Sequence, residues 1–165
     1  MKSVCGASNR RVVTLTAIGL CFAVVTITPA AAPAAQVGTC ETTGTKVKVS
    51  EIYHKTPSMA YVPVNETAIS FTQRRPGCVI VSFSAVADVH PDDTMFVIAT
   101  VDGFGCSPYD VPFLIGGNNL GNVRAMNFLC VNVQTGHHTA KIMFRSTVGE
   151  RVAFEDRTTI VHYSK

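Results

Sequence analysis

From Cys78 to Ala87 the chain reads CVIVSFSAVA, and this alternation is the strongest constraint on what it can fold into. Successive side chains of an extended strand point to opposite faces. Val79, Val81, Phe83 and Ala85 therefore share one face, and Ile80, Ser82 and Ser84 the other. A period of two residues suits a sheet and not a helix. The same period recurs where Val47 and Val49 alternate with Lys46, Lys48 and Ser50, as in a half-buried strand, and where Ile69 and Phe71 alternate with Ser70 and Thr72. Met95 to Val101 is apolar on both faces and stops at the turn pair Asp102-Gly103. Further strands are expected at Val111 to Ile115, Arg124 to Val133, Thr139 to Ser146 and Arg157 to Tyr163, with turn chemistry at Pro91-Asp92-Asp93, Gly116-Gly117-Asn118-Asn119, Thr135-Gly136 and Val148-Gly149-Glu150. Roughly eight to ten short strands without a helical window predict an all-β chain, an antiparallel β-sandwich of jelly-roll type in a single domain.

The N-terminus has a different character. Lys2, Arg10 and Arg11 precede an uncharged run from Val12 to Ile27, which ends in Pro29 and the small-residue tract from Ala30 to Ala35. Basic, apolar and small residues in that order make an export signal. Residues 1–34 are read as a signal peptide cleaved after Ala34, residues 35–45 as a flexible N-terminal arm, and residues 46–165 as the β-sandwich domain. The apolar run approaches the lower limit of a membrane span, but Thr14, Thr16, Thr26 and Thr28 dilute it. No stable membrane insertion is expected after cleavage, and Leu20 before Cys21 argues against lipoprotein processing. The expected location is extracytoplasmic, periplasmic or secreted.

The leader also accounts for the basic balance. Of 14 Lys+Arg and 11 Asp+Glu, three basic and no acidic residues precede position 35, which leaves 11 against 11. Nucleic acid is bound chiefly through neutralised phosphates, so it is not an expected partner. Cys40, Cys78, Cys106 and Cys130 follow the leader, an even number that in an oxidising compartment predicts two disulfides. None of these cysteines lies in a C-x-x-C pair, so a zinc knuckle is disfavoured. A hairpin centred near Pro91 would set Cys78 opposite position 104 or so, which slightly favours Cys78 with Cys106 and Cys40 with Cys130; the pairing of Cys40 with Cys78 and Cys106 with Cys130 stays open at nearly even odds.

The segments VIVSFSAVA, VDG, GHHTAKIMFRST and RTTIVHY together resemble a loose group of small exported bacterial β-sandwich proteins. The likeness rests on fold-forming positions, and the group brings no established activity and no catalytic residues to carry over. A more remote likeness to jelly rolls of the tumour-necrosis-factor kind is one of architecture, which does not license function.

Two sets of residues are candidate sites. Asp88, His90, Asp92 and Asp93 are the densest set of possible metal ligands, in a Pro-containing loop where oxygens can converge on calcium, although no EF-hand spacing is present. The alternative is a solvated turn whose Asp side chains satisfy local amides. Tyr53, Tyr61, Phe104 and Tyr109 are candidates for a ligand surface, either a glycan platform or a protein contact. His137 and His138 are neighbours on a strand and point apart, and His138 is read as packing or hydrogen-bonding where the hairpin meets the strand. No G-x-S-x-G or H-E-x-x-H motif places a reaction. The expected function is a non-catalytic structural, envelope or adhesion-type protein that needs no cofactor and meets an unknown protein or glycan surface. A carbohydrate- or calcium-binding module is the alternative, and a small extracytoplasmic hydrolase the second alternative.

Overall fold

A computed structural model describes residues 40–117 and 121–165. The leader and residues 35–39 of the expected arm lie outside the described residues. The described residues form one compact unit. Its described strands are β1 (Gly44–Ser50), β2 (His54–Thr56), β3 (Val62–Pro63), β4 (Ile69–Gln73), β5 (Gly77–Val89) and β6 (Thr94–Val101). They continue with β7 (Phe104–Gly105), β8 (Val111–Ile115), β9 (Asn122–Val133), β10 (Gly136–Ser146) and β11 (Val152–Tyr163). All the strand pairings are antiparallel, in two sheets.

The first sheet runs β1-β11-β5-β9 with β2 beside β11, and the second runs β3-β10-β6-β7 with β4 beside β10 and β8 beside β6. Leaving aside the short β2, β3 and β7, the pairing is nested: β1 with β11, β4 with β10, β5 with β9, and β6 with β8. First meets last and the innermost strands meet each other, so a long double ribbon folds over itself. The further pairs β11 with β5 and β10 with β6 knit the ribbon into two sheets. That is the jelly-roll order, and the all-β sandwich read from the sequence is the fold observed.

The inner faces carry the core. Val79, Val81, Phe83, Ala85, Ala87 and Val89 of β5 are all 1% exposed or less, which is the alternation of the sequence turned into burial. Phe83, Phe113, Phe144 and Phe154 stack across the two sheets with ring centroids 5.1–5.7 Å apart, within the range of favourable edge and tilted contacts.

Two expectations are corrected. The segments Cys78 to Ala87 and Met95 to Val101 do not form a hairpin: β5 lies in the first sheet, β6 in the second, and residues 90–93 cross between them. Hairpin arithmetic therefore has no register to act on. The disulfides are Cys40–Cys78 and Cys106–Cys130, with Cα atoms 5.6 and 4.4 Å apart, and the slightly favoured pairing is not the one formed. The arm is also shorter than expected. Gly44 and Thr45 belong to β1, Cys40 is bonded to Cys78, and the Thr43 amide donates to the Tyr163 carbonyl.

The sense of β1 is the reverse of a half-buried strand with valines inward. Val47 and Val49 are 58% and 64% exposed, whereas Lys46 and Lys48 lie on the inner side. Lys46 Nζ donates to the Ser70 carbonyl at 2.6 Å and Lys48 pairs with Glu66 at 2.9 Å, so the lysines lean across the rim onto the loop and strand opposite. An edge strand at the margin of the core has no core to offer its inner residues. Inward-pointing charge on such a strand also discourages pairing with another sheet edge.

In β11 the register slips between Glu155 and Thr158, so that Asp156 and Arg157 together face Ala85. This is a β-bulge, with Asp156 at φ 40°. Arg157 is 1% exposed and turns inward. Its Nε donates to the Asn65 carbonyl at 3.1 Å, Nη1 to the carbonyls of Ile52 and Phe154, and Nη2 to Ser50 Oγ at 3.4 Å. Burial holds the guanidinium below its ordinary value, and the nearby Glu66 offsets only part of that.

Replacing Arg157 by Ala removes the donors to the Phe154 carbonyl, to Ser50 Oγ and to the half-buried carbonyls of Asn65 and Ile52, and the fold is expected to lose about 3 kcal/mol or more. Urea unfolding of the variant checks it; a loss below about 1 kcal/mol would contradict the role given to the guanidinium. Peptide mapping without reductant is expected to recover Cys40 linked to Cys78 and Cys106 linked to Cys130.

Candidate functional site

The bulge decides which side of β11 meets water. Beyond it Thr159, Val161 and Tyr163 are buried, and Thr158, Ile160 and His162 face outward. The register aligns these three with the outer residues of the neighbouring strands. One row reads Thr45, His162, Ile80 and Leu129. The next reads Val47, Ile160, Ser82 and Asn127. A third reads Val49, Thr158, Ser84 and Ala125. No Lys, Arg, Asp or Glu stands in any of the three rows. Val123 and Val131 extend the β9 side and are 73% and 62% exposed. The outer face of the first sheet is thus uncharged in these rows and mixed in character, with Val47, Val49, Ile160, Ile80 and Leu129 set among Thr, Ser, Asn and His side chains. At one end a shallow hollow of about 640 Å³ is bordered by Ile80, Asn127, Leu129 and His162, with Ser107 and Pro108 on its rim.

The expected metal ligands do not gather. Asp88 pairs through Oδ2 with Arg151 at 2.9 Å, while its Oδ1 has no hydrogen-bond partner. His90 Nδ1 accepts from the Asp92 amide, and Asp92 is exposed. Among the described residues no three His, Cys, Asp or Glu side chains are placed to hold an ion.

Asp93 is 2% exposed and has a different task. Its Oδ1 accepts from the amides of Thr94, Thr147 and Val148 at 2.6, 2.8 and 3.2 Å and from Thr147 Oγ1 at 2.7 Å, and Oδ2 accepts from Ser146 Oγ at 2.5 Å. The carboxylate thereby ties the crossing between the sheets to the turn between β10 and β11. The Asp93 carbonyl accepts from the Gly116 amide, and a Cβ on Gly116 would have no room beside the carbonyl oxygens of His90 and Pro91.

The histidine reading of the hairpin holds. His138 Nδ1 lies 2.6 Å from Asp102 Oδ2 and Nε2 lies 2.8 Å from the Gln134 carbonyl, with the ring beside Phe71. Asp102 Oδ1 accepts from the Thr139 amide at 2.8 Å. The bond to His138 and then that amide hold the Asp102 carboxyl below its usual range. Both ring nitrogens are engaged in closing the turn. Next to this pair is a groove of about 500 Å³, walled by Val101, Leu129, Val131 and Val133, with Phe104 80% exposed beside it.

The four aromatic candidates are not one platform. Tyr61 and Tyr109 are neighbours, with centroids 6.4 Å apart and rings inclined by 52°. Tyr53 borders a separate recess with Phe154 and Glu155, and Phe104 stands on the β6–β7 turn. Arg145 is stacked over the rings of Tyr61 and Phe96 at 5.3 and 4.4 Å. Asp110 Oδ1 accepts from Arg145 Nη2 at 2.9 Å and from Tyr61 Oη at 2.7 Å. Burial first, and then the bond to Asp110, raise the Tyr61 hydroxyl to about 12. Arg145, Asp110 and Phe96 are members of this cluster that the sequence did not single out; the outward position of Arg145 on β10 was the available signal.

No family model matches the chain, and no curated protein matches it. Among solved structures it is similar to the infectious bursal disease virus VP2 subviral particle, at 14% identity and TM-score 0.48 over 91% of this chain and 37% of that one. It is also similar to the CBM36-1 domain of a multidomain xylanase from the hindgut metagenome of Trinervitermes trinervoides, at 15% identity and TM-score 0.40 over 71% of this chain and 96% of that one. A third is the infectious bursal disease virus Gx strain, at 12% identity and TM-score 0.42 over 83% of this chain and 38% of that one. The chain spans little more than a third of the two viral chains.

The Asp93 clamp carries a pH signature. Burial, the largest single influence, pushes its carboxyl up, but the hydrogen bonds from Ser146, Thr147 and Thr94 together outweigh it and hold the group at about 2 against an ordinary 3.8. A depressed carboxyl stabilises the fold fully above the unfolded value and less as pH falls through the folded one. The protein is expected to lose about 2 kcal/mol between pH 5 and pH 2 from this group, and Asp93→Asn to lack that part of the loss. Urea titrations of both proteins across the window check it; parallel curves would contradict it.

Proposed function

We propose that the protein is an exported, non-catalytic β-sandwich of the cell envelope or extracellular matrix, working through surface contact on the outer face of its first sheet. The observation that carries this reading is the three-row face without a charged side chain. A water-facing sheet surface ordinarily alternates apolar residues inside with polar and charged residues outside. Here Val47, Val49, Leu129 and Val131 are 40–64% exposed on two margins of one face. Exposed aliphatic side chains gathered on one uncharged face support a contact role.

The two disulfides suit an oxidising compartment, and they support export together with the leader. The internal bonding of Asp93, Asp102, Asp110 and His138 favours structural work for these groups over proton transfer. The incline between Tyr61 and Tyr109 disfavours a flat sugar platform, and the uncharged face disfavours nucleic acid.

The test is co-sedimentation of the purified protein with isolated cell envelopes, beside Val123→Lys and Leu129→Lys. Wild-type protein is expected to bind, and each variant to bind at least about tenfold more weakly at an unchanged melting temperature. Equal binding by the variants, or no binding by the wild type, would overturn the reading.

A further inference from the structure

We propose that the groove beside Phe104 binds a small aliphatic amine, with the alkyl chain along its apolar walls and the ammonium group against the Asp102 carboxylate. The inference goes beyond the contact reading of the outer face and does not rest on it. β6, β7 and the turn between them form one side of the groove, and residues 129–133 of β9 form the other. A second bulge shapes that side: residues 131 and 132 together face Cys78, with Asn132 at φ 59°, so β9 bends as it passes. The two sides are fastened to each other. Cys106–Cys130 joins them covalently, and Ser107 exchanges both backbone hydrogen bonds with Leu129. A preformed recess of this kind costs a ligand little in ordering the protein. At about 500 Å³ it falls within the range of small-molecule sites.

The lining divides into an apolar length and a polar end. Val101, Cys130 and Val133 are buried in it, and Leu129, Val131 and Phe104 stand exposed along it, a surface that an alkyl chain would cover. The polar end offers acceptors. His138 has both ring nitrogens engaged, with Asp102 and with the Gln134 carbonyl, and Gln134 Nε2 donates to the Asn132 carbonyl. Asp102 takes one bond on each oxygen, from the Thr139 amide and from His138, and these bonds keep it ionised at neutral pH. An ionised carboxylate accepts at about four positions, so about half of that capacity remains, on a side chain that is 43% exposed. No Lys or Arg lines the groove to occupy it. A ligand head that donates is therefore the one that fits, and a cationic head also gains from the charge. The exposed ring of Phe104 attracts cations as well, whereas an anionic head would meet Asp102 as a like charge.

Amide NMR of the purified protein at neutral pH, titrated in turn with octylamine, octanol and octanoate, tests the assignment. Octylamine is expected to bind with a submillimolar Kd, at least about tenfold tighter than octanol, and octanoate not to bind. The amides that shift are expected to be those of Val101, Asp102, Val131, Asn132 and Gln134. Asp102→Asn is expected to bind octylamine no better than octanol while octanol affinity stays as in the wild type, and Phe104→Ala to weaken octylamine about threefold. The three probes on wild-type protein decide the matter even where a variant does not fold. Equal binding of octylamine and octanol, binding of octanoate, shifts confined to other surfaces, or a folded Asp102→Asn that keeps the preference would each overturn the inference. So would N-acetyl-lysine amide binding as tightly as octylamine, since the groove would then read a protein side chain and make no use of the alkyl chain.

Discussion

The bulge at Asp156 and Arg157 is the constraint on which the rest of this molecule depends. Had β11 run without it, the alternation that buries Phe154 would have carried inward through Thr158, Ile160 and His162, and Val161 and Tyr163 would have faced water. Two residues opposite one, Ala85, reverse that parity. The reversal is held by a guanidinium that is 1% exposed and finds acceptors in four separate places along the chain. Arginine suits the task because its planar fork presents five donors in fixed directions. The core and the outer face of the first sheet are thus set by one buried side chain.

The opposite fastening is made by a carboxylate. Asp93 gathers amides and hydroxyls from the start of β6 and from the end of β10 and the turn after it, and it does so without a cation partner. A buried carboxylate costs several kcal/mol unless its lone pairs are filled, and here they are filled by five donors. Cys40–Cys78 secures the start of the described chain to β5, and Cys106–Cys130 joins the loop after β7 to β9. A jelly roll closes by long-range contacts between ends of the chain, and these fastenings sit where the ribbon would otherwise open.

Much of the fold was legible because burial follows period-two patterning in β5 and β4, and because β6 is apolar on both faces. What was not legible has identifiable causes. The valines of β1 alternate correctly, but alternation does not say which side is core, and at an edge strand the answer depends on where the opposing sheet ends. The disulfides followed from strand topology, and the notion of a hairpin at Pro91 failed because the same turn residues serve a crossing between sheets. Asp93 looked like one of three carboxylates and a histidine able to serve as ligands; its distinction is burial, which no local motif announces. The outer face is assembled from four strands distant in sequence and becomes visible only in register.

The most direct test is the solvent exposure of the side chains beyond the bulge, read by NMR with a soluble paramagnetic probe. If the bulge sets the parity of β11, the methyl resonances of Val47, Val49 and Ile160 broaden as the probe is added while those of Val81 and Val161 stay sharp. A sharp Ile160 together with a broadened Val161 would contradict it.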